Sequence, residues 1–108
     1  MEIKNAKIDF TSLGFQRGTI MSFSIGLDYA GSGQCAGGYR LDDAGNGTVY
    51  GLAIIMEILK IVGVENWEDL KGQYIRVKAT HDKVSAIGNL LEDKWLDFGE
   101  FAQKFRGE

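Results

Sequence analysis

Proline is absent from the 108 residues, and cysteine and histidine occur once each, as Cys35 and His81. The lone cysteine excludes an internal disulfide, and the lone histidine excludes a zinc site built on two imidazoles. No long apolar run is present. The longest apolar patch, residues 52–62, is broken by Glu57 and Lys60 and falls short of the ~20 residues that span a bilayer. From Glu2 to Asp9 charged and apolar residues alternate, unlike the basic and then apolar stretch of a secretory signal. The expectation is a cytoplasmic protein with no membrane contact. One-sided charge is also missing: 12 Lys and Arg against 15 Asp and Glu leave a net charge of -3, which argues against a dedicated nucleic-acid binder.

What is present suits one globular domain over residues 1–108, since a chain with 44% hydrophobic and 25% charged residues can bury a core without a disulfide or metal. Residues 3–11 read as a strand with Ala6, Ile8 and Phe10 on its inner face. The alternation is strictest at Met21, Phe23, Ile25, Leu27 and Tyr29, the period of a half-buried strand. Between the two, Gly14 and Gly18 mark a hairpin turn. Residues 39–41 can resume a third strand, and residues 42–47 form an Asp/Asn/Gly turn. Residues 48–62 predict a helix, capped by Thr48 at its start and by Gly63 beyond its end, and apolar enough to be buried on most sides. A short helical turn at residues 66–72 precedes a strand at residues 74–80, with Ile75, Val77 and Ala79 inward. A last strand follows at residues 84–89. Asp97 and Glu100 then start a short amphipathic helix carrying Phe98, Phe101 and Phe105. The expected fold is α+β: a mostly antiparallel sheet of about five strands, in the order β-β-β-α-β-β-α, covered by one long apolar helix.

The 15 glycines cluster where chemistry is most expected. Residues 31–36 satisfy a loose G-x-G-x-x-A pattern, but a dinucleotide fingerprint must run from a strand into a helix, and this one runs into Gly37, Gly38, Tyr39 and Arg40, which read as extended. The segment is either a flexible hairpin loop or glycine-rich edge strand, or a place where bare backbone meets a ligand or partner. Residues 42–47 resemble the start of a calcium loop, yet Ala44 and Ala53 fall where oxygen ligands are required, so no metal is expected. A Cys35–His81 dyad would need the two within hydrogen-bond reach and a third group to orient them, and His81 falls in a predicted hairpin turn beside Asp82, so a solvent-exposed turn histidine is the expectation. Arg76 and Lys78 share a strand face, without stacking aromatics around them in the sequence, and read as a solvated surface. No cofactor is implied.

The segments Leu27-Asp28-Tyr29-Ala30-Gly31-Ser32-Gly33-Gln34, Gly37-Gly38-Tyr39-Arg40-Leu41-Asp42 and Val64-Glu65-Asn66-Trp67-Glu68-Asp69-Leu70-Lys71-Gly72 resemble a family of small phage- and prophage-encoded proteins. The similarity extends to Ala86-Ile87-Gly88-Asn89 and Lys94-Trp95. The family has no assigned activity, so it transfers no functional residue. What it implies is context: such proteins act stoichiometrically in the host cytoplasm, binding a host or defence-system protein or sequestering a small signal molecule. The leading expectation is therefore a non-enzymatic, anti-defence (anti-CRISPR-like) inhibitor working by protein contact. Its expected contact face is Asp28, Tyr29, Gly31, Gly33, Gln34, Gly37, Gly38, Tyr39, Arg40, Asp42 and Asp43, where free backbone and tyrosine rings adjoin. The first alternative is a sequestering protein whose glycine amides and Arg40 hold a small phosphorylated ligand. The second is a homodimer joined through the apolar helix with Phe98, Phe101 and Phe105.

Overall fold

The alternation in residues 21–29 is realised as β2 (Ile20–Asp28), where Phe23, Ile25 and Leu27 are buried and Ser24 lies on the outer face. The structure, a computed structural model, describes residues 1–105. Before β2 runs β1 (Glu2–Gln16), which extends past the expected residues 3–11 into the expected turn. The reversal is confined to residues 17–19, where Arg17 (φ 54) and Gly18 (φ 74) take left-handed backbone suited to a tight hairpin. Pairing of β1 with β2 shifts register between Ile8 and Phe10. The extra residue, Asp9, reverses every side chain beyond it. Ala6 and Ile8 are buried as expected, but Phe10 turns to the outer face, 48% exposed, with its ring over Gly26.

The Gly-rich segment is mostly strand: β3 (Gly33–Arg40) pairs with β2 and forms one edge of the sheet, starting well before the expected residues 39–41. A two-residue hairpin follows, β4 (Asp42–Asp43) and β5 (Asn46–Gly47). Its turn residues Ala44 (φ 51) and Gly45 (φ 88) both have positive φ, the signature of a type I′ turn. After the helix come a 3-10 turn at Trp67–Asp69 and then β6 (Tyr74–Ala79), β7 (Val84–Gly88) and β8 (Trp95–Asp97). The expectation of five strands is thus corrected to a six-stranded sheet of order β3-β2-β1-β6-β7-β8 plus the small hairpin. All pairings are antiparallel. Two three-stranded meanders, β1–β2–β3 and β6–β7–β8, meet along one seam where Glu2–Lys7 pairs with Tyr74–Ala79.

Helix α1 (Val49–Val62) has the expected ends, because both depend on local chemistry. Thr48 Oγ1 accepts the Gly51 N–H at 2.9 Å and donates to Leu41 O at 2.8 Å. Gly63 (φ 92) closes the last turn with its N–H on Leu59 O. Ile54, Ile58 and Ile61 enter a core with Ile8, Ile25, Ile75, Val77, Ile87 and Leu96. The helix is not long, however. Fourteen residues span about 21 Å, and the backbone of α1 approaches most closely at β7 and β8. Nor is it buried on most sides, since Val49, Leu52 and Met56 face outward exposed.

The rest of the interior is closed by curling the sheet. Gln34 Nε2, on edge strand β3, donates to Thr80 O (3.0 Å) and His81 O (3.1 Å) in the β6–β7 turn. Tyr39 stacks on Phe98 of α2 (Phe98–Lys104) at 5.3 Å between centroids, and Trp67 sets its edge against Phe23. Asp97 caps α2 through the Glu100 N–H at 2.9 Å, as its spacing predicts. Of the three phenylalanines expected at a dimer contact, Phe98 is core, Phe101 is half-buried against Tyr50 and Phe105 is exposed. On the outer face Trp95 lies over Gly88, with Arg76 and Lys78 at 4.7 and 4.4 Å from its ring. The basic pair therefore does have a stacking aromatic, supplied by a strand the alternation did not reveal.

Candidate functional site

The expected site residues divide between the two ends of β3, roughly 20 Å apart at strand rise. At one end Asp28 Oδ1 accepts the Ala30 N–H at 2.8 Å, and the Tyr29 hydroxyl donates to Gln34 Oε1 at 2.7 Å. Lys4 Nζ sits 4.6 Å above the Tyr29 ring, and burial pushes the phenol's pKa up. With Gln34 also bound to the β6–β7 turn, these polar groups hold the curled sheet together.

The glycines between the two ends are explained by crowding and backbone shape. A Cβ on Gly33 would lie 2.8 Å from Leu27 O, and one on Gly37 would overlap Phe23 O. Gly31 (φ 131), Gly37 (φ 120) and Gly38 (φ 80) hold backbone that other residues rarely adopt. The Gly37–Gly38 kink absorbs the register shift between Ser22 and Ser24 and turns the Tyr39 ring inward. Burial, and then the charge of Asp97, raise the Tyr39 pKa. The cavity beside Arg40 is lined by none of these glycines, so a ligand there would meet Arg40 without their amides.

Arg40 and Asp42, at the other end, do come together. Asp42 is buried: its Oδ1 accepts from the Met21 N–H (3.1 Å) and Arg40 Nε (3.3 Å), and its Oδ2 from the Gly45 N–H (2.8 Å). The Gly45 N–H holds the Asp42 carboxyl below the usual carboxylate range. Burial opposes that shift, and the Met21 N–H and the Arg40 guanidinium reinforce it. Asp42 thereby stays ionised, fastens the β4–β5 hairpin to β2, and fixes Arg40 by its Nε edge alone. Asp43, its neighbour, is exposed beside Asn46 and takes no part.

A cleft of about 370 Å³ opens beside this pair, lined by Arg40, Asp42, Thr48, Val49, Tyr50, Ala102 and Phe105. Its floor is the first turn of α1, whose ends of backbone N–H favour negative charge. Its wall is a ring cluster, with Tyr50 5.9 Å from Phe105 and Phe105 5.2 Å from Phe101. The Arg40 side chain is half exposed, and among the described residues no hydrogen bond reaches its terminal nitrogens. A guanidinium fork with free donors, next to aromatic and aliphatic walls, can hold a small anion with an apolar or planar body. Thr48, Val49, Tyr50 and Ala102 are not among the expected contact residues, and Phe105 is expected only at a dimer contact. The one sequence signal for them was an aromatic in the first turn of a helix and another on the stripe of α2.

Elsewhere, Cys35 is exposed on β3 and makes no hydrogen bond to His81. Among the described residues no three His, Cys, Asp or Glu side chains group as a metal set, and no helix is long and apolar enough to cross a membrane. Comparison with protein-family models, with curated proteins and with solved structures finds no match, so the functional reading rests on the geometry of the cleft and of the surfaces around it.

Proposed function

We propose that the chain is a non-catalytic binding protein that sequesters a small phosphorylated ligand in the Arg40 cleft. The observation that carries this reading is the meeting of a half-free guanidinium, the start of α1 and the Tyr50–Phe105 rings around one cavity of about 370 Å³. That volume lies within the roughly 300–1,000 Å³ of small-molecule sites, and the mix of apolar wall and few polar groups matches them. Arginine suits phosphate because its planar fork offers two parallel donors.

The test is thermal unfolding with inorganic phosphate, AMP, ADP and cyclic dinucleotides, each at up to millimolar concentration. A ligand present at 100 times its Kd stabilises the folded state by about 2.7 kcal/mol, a rise of about 10 °C for a domain this size. Arg40→Ala abolishes the rise. No rise with any of these anions, or an equal rise in the variant, refutes the reading.

A second reading, stoichiometric binding of a host or defence-system protein, is favoured by the free end of the β1–β2 hairpin. Beyond Ile8, β1 pairs with β2 alone, and Leu13, Phe15 and Ile20 stay exposed there. Capture of one stoichiometric host protein that Phe15→Asp eliminates would support it. Capture unchanged by that substitution would remove this surface from consideration.

A further inference from the structure

We infer that the outward face of α1 is covered by a second copy of this chain, the two helices crossing antiparallel about a twofold axis. Val49, Leu52 and Met56 are 78%, 65% and 47% exposed, and with Ala53 they line a shallow groove of about 480 Å³ along the helix. Such a continuous apolar stripe on the solvent side of a helix marks a contact surface. Its pattern is complementary to itself. An antiparallel pairing centred between residues 52 and 53 sets Leu52 against Ala53 of the second copy and Val49 against its Met56, so a large side chain meets a small one at the crossing point. The small Ala53 lets the axes approach to the 8–10 Å of packed helices.

The ends of the stripe also carry opposite charge. Lys60 continues the same line at the C-terminal end, and exposed Asp43 stands in the hairpin at the N-terminal end. Antiparallel pairing brings Lys60 of each copy to Asp43 of the other, whereas parallel pairing opposes like charges. Of the other charged groups near these ends, Arg40 and Asp42 offset each other's charge at 3.3 Å, with Arg40's terminal nitrogens left free among the described residues, and Lys94 is paired with Glu92 at 3.6 Å and donates to Lys60 O at 3.4 Å. Glu57 lies beside Trp95 and Lys104, along a different groove. The β7–β8 loop is fixed to the C-terminal end of α1 by the Asn89 Nδ2–Ile61 O hydrogen bond at 2.9 Å, and it carries Leu91, 90% exposed. The pairing moves that loop to the end of the opposite helix where the Arg40 cleft opens, so each copy's cleft faces apolar surface of its neighbour. The twofold contact uses one patch twice, the commonest arrangement of soluble oligomers.

The inference shares Val49 with the Arg40 cleft but does not depend on the ligand reading, and it is tested without ligand, by sedimentation equilibrium of the full chain between 1 and 200 µM. The expected result is a monomer–dimer equilibrium, 11.9 kDa to twice that mass, with a micromolar Kd because the contact is small. Leu52→Asp, at an exposed position, keeps the fold and, at concentrations below the dimer Kd, the melting temperature, and gives monomer throughout. Asp43→Lys and Lys60→Asp each weaken the dimer at least tenfold, and the double variant restores it. A wild-type chain that stays monomeric at 200 µM overturns the inference, as does a dimer indifferent to Leu52→Asp or a double variant no tighter than the singles. Arg40→Ala dimerises normally, so loss of anion binding in that variant speaks only to the cleft.

Discussion

Gly51→Ala sets two physical effects against each other at one atom. In a helix interior alanine is favoured over glycine by about 1 kcal/mol, so propensity alone predicts a more stable protein. Gly51 is, however, where α1 touches the β3–β4 connection: a methyl group there overlaps Leu41 O and lies 3.0 Å from Thr48 Oγ1. Both are fixed, because Thr48 Oγ1 accepts from Gly51 N and donates to Leu41 O. Relieving the overlap displaces the first turn of the helix. That costs about 1–3 kcal/mol of overpacking and about 1 kcal/mol for the Thr48–Leu41 hydrogen bond. After subtracting the propensity gain, the variant is less stable by about 2 kcal/mol and melts about 10 °C lower. Urea and thermal unfolding followed by circular dichroism measure this directly. A variant as stable as the parent, or more so, would show that the close approach of α1 to Leu41 is wrong, and with it the shape of the Arg40 cleft.

Gly37→Ala, which combines φ 120 with overlap on Phe23 O, costs about 2–3 kcal/mol by urea unfolding, whereas a flexible loop at this position would accept alanine freely. Phe98→Ala removes a buried ring packed on Phe23 and Tyr39, and the midpoint of denaturation should fall by the equivalent of about 3–5 kcal/mol. The Asp42 carboxyl is held below its ordinary range, so the stability it contributes is complete above about pH 4, where the unfolded chain's aspartate is ionised, and is lost as pH falls through the lower folded value. Asp42→Asn should therefore be less stable at pH 7 and show a flatter acid limb in a pH series of melts. An unchanged acid limb would contradict the assignment.

Much of this was legible where the cause is local. The period of Phe23, Ile25 and Leu27 placed them in the core, and the Thr48 and Gly63 caps located both ends of α1, because side-chain alternation and capping depend on residues a few positions apart. Phe10 defeated the same logic because the extra residue at Asp9 is a property of the β1–β2 pairing. The strand β8 was missed because three residues carry no readable period, and what secures Trp95–Asp97 is its pairing with β7, where the tryptophan ring lies over Gly88 directly opposite. The glycines of β3 read as a flexible loop, a glycine-rich edge strand or a ligand-binding backbone; the edge strand is what forms, and two of them answer to the backbone of β2. The cleft was only half visible: Arg40 and Asp42 are near neighbours in sequence, whereas Tyr50 and Phe105 meet them only after α1 and α2 have packed.

The way the two meanders join bears on how the chain reaches this state. Each meander is built from neighbouring segments and can form early from contacts that close short loops. The seam cannot: its six residue pairs link strands with most of the chain between them, from Glu2–Ala79 to Lys7–Tyr74. Bringing such distant segments together is the slow step in sheet formation. The molecule is thus a zipper of two prefabricated halves. Until the zipper closes, β1 and β6 each offer an open edge that the matching strand of another chain could fill, which makes the seam the point where folding and exchange between copies compete.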